Sequence, residues 1–252
     1  MDNGFIKVCA VSPSIRVADT AYNASECIRL ANEASELGAK LIVFPELTLT
    51  GATCGDLFYS EKLICGALDA LKNYMYSTSM LDAVTVIGLP FCANDKLYNC
   101  AAVVSGGQLL GLVPSSNIST YLDHARYFSP APQMNLSVTF EGGIAMLGTK
   151  QFFVCRDVKN FRFGIEMSGD LYSNNSPISD MTAAGGIIVV NPSAQNECTA
   201  SSEVRESIVK VNSLKTHSAY IHINPSCGES TTDYVFSGHG VVYENGKVTK
   251  ED

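Results

Sequence analysis

The chain has 252 residues, 46% of them hydrophobic and only 17% charged, with a formal net charge of −8. A chain of this length and composition can bury a large core, which excludes a disordered segment or a coiled coil. Its 17 lysines and arginines are scattered. Since nucleic-acid binding needs a basic stripe, no nucleic-acid partner is expected.

Strand and helix patterns alternate through the first half of the chain. The β-branched run FIKVCAV (5–11) predicts a strand, and apolar spacing near 3.6 predicts a helix over 19–37. LIVFPEL (41–47) is typical of a short strand that is buried on both faces. A second helix is expected over about 61–76, followed by a buried strand over 84–90. The alternation indicates an α/β fold.

The second half of the chain adds hairpins to this pattern. Residues 99–114 contain two apolar runs around a Gly-Gly pair, and residues 240–249 contain an Asn-Gly pair; both are hairpin signals. QFFVCR, FRFGIEM, IIVVNPS and YIHINPS predict further strands, with a helix over about 202–217 between the last two. Parallel and antiparallel pairing should therefore coexist, in one mixed sheet or in two sheets. Because no linker or repeat interrupts the pattern, residues 1–252 are expected to form one domain.

Cysteine usage and hydropathy indicate the compartment. The nine cysteines form no C-x-x-C pair, many lie in apolar runs, and the N-terminus lacks the features of a signal peptide. No apolar run approaches the roughly 20 residues of a membrane span. We expect a cytoplasmic protein with free thiols and no membrane contact.

Neither a metal nor another cofactor is expected from the sequence. The four histidines show no i, i+4 pair that would suit a metal on a helix. Two glycine-rich stretches (105–110 and 143–150) depart from the patterns of phosphate-binding loops.

Two strand ends carry candidate chemistry. LIVFPEL places Glu46 at the carboxyl end of a buried strand, where burial raises the pKa of a carboxyl group and suits it to act as a general base. A capping or salt-bridged surface glutamate is the equally open alternative. FRFGIEMSGDLY (161–172) reaches a second strand end at Ser168, beside Gly169, which is one way to present a nucleophile. Ser168 could equally be the first residue of a loop.

Five segments, read together, resemble one family. FPELTLTGATCGDL resembles the glutamate motif of the nitrilase, or carbon–nitrogen hydrolase, superfamily; LVPSSNISTYLDHARYF (112–128) resembles its lysine motif; and FGIEMSGDLY resembles its cysteine motif. GESTTDYVFSGHGVVYENG (228–246) and NPSAQN (191–196) resemble the N-terminal glutaminase domain of glutamine-dependent NAD synthetases. The resemblance implies the four-layer α-β-β-α sandwich of the superfamily. It also implies a homo-oligomer that associates through helical faces.

The resemblance implies roles for individual residues. In the family a cysteine attacks an amide, a glutamate moves the proton and a lysine stabilises the oxyanion. Glu46 matches the glutamate, Ser115 falls at the lysine and Ser168 falls at the cysteine. Tyr121 and Ser193 match substrate-binding positions, although a core tyrosine and a turn serine would look the same. The loop before Arg126 is shortened, and Asp123 is the candidate to replace a second carboxylate of the family.

We therefore expect a catalytically degenerate glutaminase domain that serves as a structural or regulatory module. One alternative is an active amidase that uses Ser168 with Glu46 and a displaced lysine, Lys150 or Lys159, at the oxyanion. The other is a non-enzymatic module that binds glutamine or a related small amide. No ATP pyrophosphatase loop follows in this sequence. A synthetase domain in a longer chain and a stand-alone protein both remain open.

Overall fold

Two sheets and the helices that flank them make up the fold in a computed structural model, which describes residues 4–118, 123–156, 158–174 and 176–251. The first sheet has the strand order β1-β2-β3-β4-β5-β7-β6. Its strands are β1 (Val8–Ala10), β2 (Leu41–Val43), β3 (Val84–Ala93), β4 (Lys96–Ser105), β5 (Gln108–Pro114), β6 (Leu136–Phe140) and β7 (Gly143–Leu147). The first three strands are parallel, whereas β3, β4 and β5 are antiparallel neighbours.

The second sheet has the strand order β13-β12-β11-β10-β9-β8. Its strands are β8 (Phe152–Val154), β9 (Arg162–Ile165), β10 (Ile188–Pro192), β11 (Ala219–Ile223), β12 (Gly240–Glu244) and β13 (Lys247–Glu251). The central strands β9, β10 and β11 are parallel, and the outer pairs are antiparallel. Both sheets are therefore mixed, as the coexistence of helical crossovers and hairpins predicts.

Helices cover the outer face of each sheet. On the first sheet lie α1 (Thr20–Glu36) and α2 (Glu61–Ser77), and on the second lie α4 (Ile178–Ala183) and α5 (Ser201–Thr216). The short α3 (His124–Tyr127) comes between β5 and β6 in the chain. The side chain of Asp19 caps α1 by accepting from the Tyr22 amide. Within the described part of the chain, no helix is both long and apolar enough to cross a membrane.

The buried side chains confirm a four-layer α-β-β-α sandwich. One cluster lies between the sheets and joins Leu41, Val43 and Val103 to residues of β9, β10 and β11. A second packs α1 and α2 against the first sheet, and a third packs α4 and α5 against the second. Burial of apolar area at about 25 cal/mol per Å² is the main stabilising term in such layers.

The predicted strands and helices are present, several strands being shorter than predicted, and the structure adds elements that the sequence did not predict, among them α3 and α4. The Gly-Gly and Asn-Gly hairpins are confirmed at β4–β5 and β12–β13. The sequence interpretation missed the β3–β4 turn at Asn94 and Asp95, both at positive φ, and the β6–β7 hairpin. The glycine-rich stretch at 143–150 begins with β7, so it is a strand and not a phosphate loop.

Candidate functional site

Four sequence-predicted residues follow strands that end at the same edge of the sandwich. Glu46 lies three residues beyond β2, Ser168 lies three beyond β9, and Ser115 and Ser193 come directly after β5 and β10. Their exposed fractions are 1% for Glu46, 2% for Ser115, 4% for Ser168 and 0% for Ser193. The Glu46 amide donates to the Ser193 carbonyl at 3.3 Å, which joins the two sheets at this edge. The carboxyl ends of parallel strands are where α/β proteins usually place their sites.

The loop that carries Glu46 crosses β3 at Gly88. A Cβ atom on Gly88 would overlap backbone atoms of Pro45, Glu46 and Leu47. The Leu49 amide donates to the Gly88 carbonyl at 3.0 Å, and Leu47 is held at a φ of 52°. Only glycine therefore allows the loop to lie this close to the strand.

Glu46 has two side-chain partners that the sequence interpretation missed. Asn99, on β4, donates its amide Nδ2–H to Glu46 Oε1. His124, at the start of α3, places Nδ1 3.3 Å from the same oxygen, while its Nε2 lies 3.4 Å from the Ala52 carbonyl. The second oxygen, Oε2, is buried and has no hydrogen-bond partner among the described residues. A buried acceptor without a partner is destabilising by about 1–3 kcal/mol.

The expectation for Asp123 is wrong, because the neighbouring residue takes the position beside Glu46. Asp123 is exposed, whereas His124 is 2% exposed. Asp123 adopts a left-handed conformation with a φ of 52° directly before α3, whose first residue is the buried His124. The rings of Phe58 and Phe128 pack edge-on against the imidazole.

Ser115 is held by its neighbours and does not contact Glu46 in the described hydrogen bonds. Its amide donates to the Asn99 carbonyl at 2.9 Å, and its hydroxyl donates to the Asn117 carbonyl at 3.2 Å. Asp170 fixes the same loop by accepting from the Ser116 amide at 3.1 Å and the Asn117 amide at 2.7 Å. Burial nevertheless raises the pKa of Asp170, and the negative charge of Glu46 raises it further.

Ser168 begins a 3-10 turn, Ser168–Tyr172, with a φ of 38° that is strained for a residue with a side chain. Asn191 holds the backbone there by donating from Nδ2 to the Glu166 carbonyl at 2.6 Å and to the Ser168 carbonyl at 3.4 Å. Asn191 Oδ1 in turn accepts from Ser193 Oγ at 2.8 Å and from His222 Nδ1 at 2.7 Å. Burial, with the nearby charge of Arg205, lowers the pKa of His222 well below its usual value, which favours the neutral ring. Because the partner atom Asn191 Oδ1 is an acceptor, Nδ1 is the nitrogen that carries the proton.

Glu166, two residues before Ser168, is a second buried carboxyl group. Its side chain has an exposed fraction of 0%, and the hydroxyls of Ser176 and Tyr220 donate to its two oxygens. Burial raises the pKa of Glu166 to about 7, an effect that these hydrogen bonds oppose and the charge of Asp170 reinforces. Near neutral pH this carboxyl group therefore titrates.

A cavity of about 520 Å³ opens beside Ser168. Its lining residues include Asn117, Ser168, Gly169, Gln195, Cys198 and Arg205. Arg205 is 1% exposed and its Nη2 lies 2.5 Å from Glu197 Oε1. Arg205 Nε and Gln195 Nε2 are buried donors without a hydrogen-bond partner in the described ranges. Both residues line the cavity, and a shift of either side chain would expose a donor suited to a ligand with carbonyl or carboxylate oxygens.

The remaining predicted residues are less informative about a ligand. Tyr121 lies outside the described residues. Ser193 is fully buried, with its hydroxyl engaged by Asn191. Lys150 and Lys159 are both exposed, and the described lining of the cavity beside Ser168 contains no lysine.

The chain is similar in sequence to a known family and to individual proteins of known name. The carbon-nitrogen hydrolase family matches residues 7–250. Over 251 residues the chain is 29% identical to the glutamine-dependent NAD(+) synthetase of Mycobacterium tuberculosis strain H37Rv, covering 99% of this chain and 37% of that protein. It is 25% identical to the enzyme of the same name from Xylella fastidiosa strain 9a5c, covering 95% and 41%. The chain thus spans about two fifths of the length of these relatives.

Two solved structures share the fold. A glutamine-dependent NAD(+) synthetase from Cytophaga hutchinsonii superposes with a TM-score of 0.85 at 20% identity, over 98% of this chain and 40% of that one. An amidase from Nesterenkonia sp. superposes with a TM-score of 0.78 at 17% identity, over 100% of this chain and 88% of that one.

Proposed function

The chain belongs to the carbon–nitrogen hydrolase family, and from this premise we propose that it is a glutaminase-type domain that has lost most or all of its hydrolytic activity. Its relatives among the glutamine-dependent NAD(+) synthetases support the glutaminase type. In this proposal the cavity beside Ser168 still binds glutamine or a related small amide.

The chemistry at three positions carries the proposal. Glu46 keeps a buried carboxyl group that is able to move a proton. Position 168 offers a hydroxyl where the family uses a thiol, and position 115 offers a hydroxyl where it uses an ammonium group. A thiolate forms readily near neutral pH, whereas a serine hydroxyl needs a well-placed base to become a nucleophile.

The loss in rate should be large. Removing one oxyanion donor typically costs about 10²–10³ in rate. Removing the nucleophile of a catalytic unit costs on the order of 10⁶, and such losses are not additive. With both groups replaced, little acceleration over the uncatalysed reaction should remain.

The cavity supports retained binding. Arg205 and Gln195 line it next to Ser168 and carry buried donors without a partner among the described residues, which match the carbonyl and carboxylate oxygens of an amino-acid amide. Because the chain spans about two fifths of its synthetase relatives, a synthetase domain is a further proposed partner, as is a second copy of the chain.

The alternative, an active amidase, needs a cation at the oxyanion. Lys150 and Lys159 are exposed, and the cation that lines the described cavity is Arg205, which is already paired with Glu197. This arrangement favours binding over hydrolysis.

Two measurements on the purified chain test the proposal. Ammonia release from glutamine should not exceed that of Ser168→Ala, because Ser168 is not an effective nucleophile. Robust release that Ser168→Ala abolishes would establish the amidase instead. Calorimetry with glutamine should show binding that Arg205→Ala weakens, and absence of heat with glutamine and related amides would remove the binding role.

A further inference from the structure

Two buried acceptor oxygens beside Ser115 have no hydrogen-bond partner among the described residues. They are Glu46 Oε2 and Asn99 Oδ1, on side chains that are 1% and 2% exposed. The two side chains are in direct contact, since Asn99 Nδ2 donates to Glu46 Oε1. This bond fixes the orientation of the Asn99 amide, so both unpartnered atoms are acceptors. The pair can be satisfied only by a group that donates hydrogen bonds.

The electrostatic surroundings of the pair favour a cation. The carboxyl groups of Asp170 and Glu229 both lie close enough to Glu46 for its charge to raise their pKa values, after the larger effect of burial. Glu229 is buried and accepts from the Ala52 amide at 2.7 Å, and burial raises its pKa to about 8. Glu46, Asp170 and Glu229 accept mainly from neutral amides. His124 is the one ionisable donor among the described hydrogen-bond and ion-pair partners of their carboxyl groups. Three buried carboxyl groups thus lie close together with one ionisable donor among them, and a cation beside Glu46 would offset the repulsion that raises the pKa values of the other two.

Ser115 leaves the pair unsatisfied. It is bonded to the Asn99 carbonyl through its own amide, so its Cα lies on the strand next to Asn99. Its hydroxyl, however, donates to the Asn117 carbonyl and not to Glu46. The serine side chain is much shorter than the four-carbon side chain of lysine, and it carries no cationic donor.

We propose that Glu46 Oε2 and Asn99 Oδ1 form a binding site for ammonium, either the free ion or the terminal group of a small primary amine. An ammonium group donates hydrogen bonds in every direction and accepts none, which matches two acceptor oxygens of which one belongs to a carboxylate. The inference rests on the proposed function for placing Ser115 at the lysine position. The acceptor pair itself is observed independently of that placement.

Thermal unfolding of the full chain tests the site. Ammonium chloride and methylammonium chloride should raise Tm progressively with the logarithm of their concentration, by on the order of 4 °C at ten times the dissociation constant. Potassium chloride and tetramethylammonium chloride at equal concentration should not, because neither cation has N–H donors. Equal shifts with all four salts would overturn the proposal, since they would reflect ionic strength or a site that water fills.

Matched variants locate the effect. Ser115→Lys should raise Tm in the absence of ammonium and lose the response to it, because its own ammonium group reaches the same oxygens. Glu46→Gln should also lose the response, whereas Glu36→Gln, on the exposed end of α1, should keep it. An ammonium response that persists in Glu46→Gln would overturn the assignment even if Ser115→Lys does not fold. Glutamine hydrolysis by the unmodified chain would refute the proposed function without changing this readout.

Discussion

The buried carboxyl group of Glu166 makes stability depend on pH in a direction that can be calculated. The ordinary pKa of a glutamate is 4.5, and that of Glu166 in the folded chain is about 7. The folded chain therefore holds a proton that the unfolded chain has released, so this group contributes stability at low pH and loses it as pH rises toward 7. At 1.36 kcal/mol for each pKa unit, ionising Glu166 in the fold costs about 3 kcal/mol.

Glu166→Gln replaces this group with a neutral amide of the same shape. The Ser176 and Tyr220 hydroxyls, which donate to the two carboxyl oxygens, can rotate to suit an amide. The variant should match the unmodified chain at about pH 5 and exceed it by up to ~3 kcal/mol at about pH 8. Denaturant unfolding at a series of pH values measures the difference.

The comparison isolates Glu166 because both proteins keep Glu229, whose pKa is also raised by burial, to about 8. Glu36→Gln, at an exposed position, is the control and should show no such trend. A difference between Glu166→Gln and the unmodified chain that stays constant with pH would refute the reasoning. It would mean that Glu166 keeps an ordinary pKa in the fold.

Three further predictions follow from the geometry of the site and the outer helix. Gly88→Ala should lower the free energy of unfolding by several kcal/mol in denaturant unfolding, because the Cβ of the alanine would overlap the backbone of the loop that carries Glu46. A decrease below ~1 kcal/mol would show that the loop can move away. Glutamine should slow alkylation of Cys198, which lines the cavity, but not of the exposed Cys65 outside it, as peptide mass spectrometry can resolve; equal rates would place the ligand elsewhere. Val211 and Leu214 are 57% and 54% exposed on one side of α5. Replacing both by glutamate should shift a homo-oligomer toward monomer in light scattering, whereas an unchanged mass would exclude this helix face as the interface between copies.

The sequence is sufficient to predict much of the fold and the backbone positions of the site. Residues 41–47 and 161–167 are each recognisable as a buried strand followed by polar residues, which predicts that Glu46 and Ser168 lie at the carboxyl ends of strands. The two strands belong to different sheets, so strand pairing does not bring these residues together, and the family resemblance is what predicts a shared site.

The partners of these residues could not be predicted. Asn99 lies within a strand of the first hairpin and gives no local signal, yet antiparallel pairing with β3 and β5 places it beside Glu46. The sequence does not tell which of the neighbours Asp123 and His124 is buried, since that depends on the backbone conformation at the start of the short α3. Arg205 reads as one polar residue on a helix, and its burial depends on packing against the second sheet.

The central claim is that hydrolysis is lost through two side chains while the cavity remains. Ammonia release from glutamine by the unmodified chain and by the Ser115→Lys/Ser168→Cys variant tests this claim most directly. We predict no release above background from the unmodified chain and clear turnover by the variant, which regains a thiol nucleophile and a cation for the oxyanion. Turnover by the unmodified chain would contradict the loss of hydrolysis, and an inactive, folded variant would contradict the intact cavity.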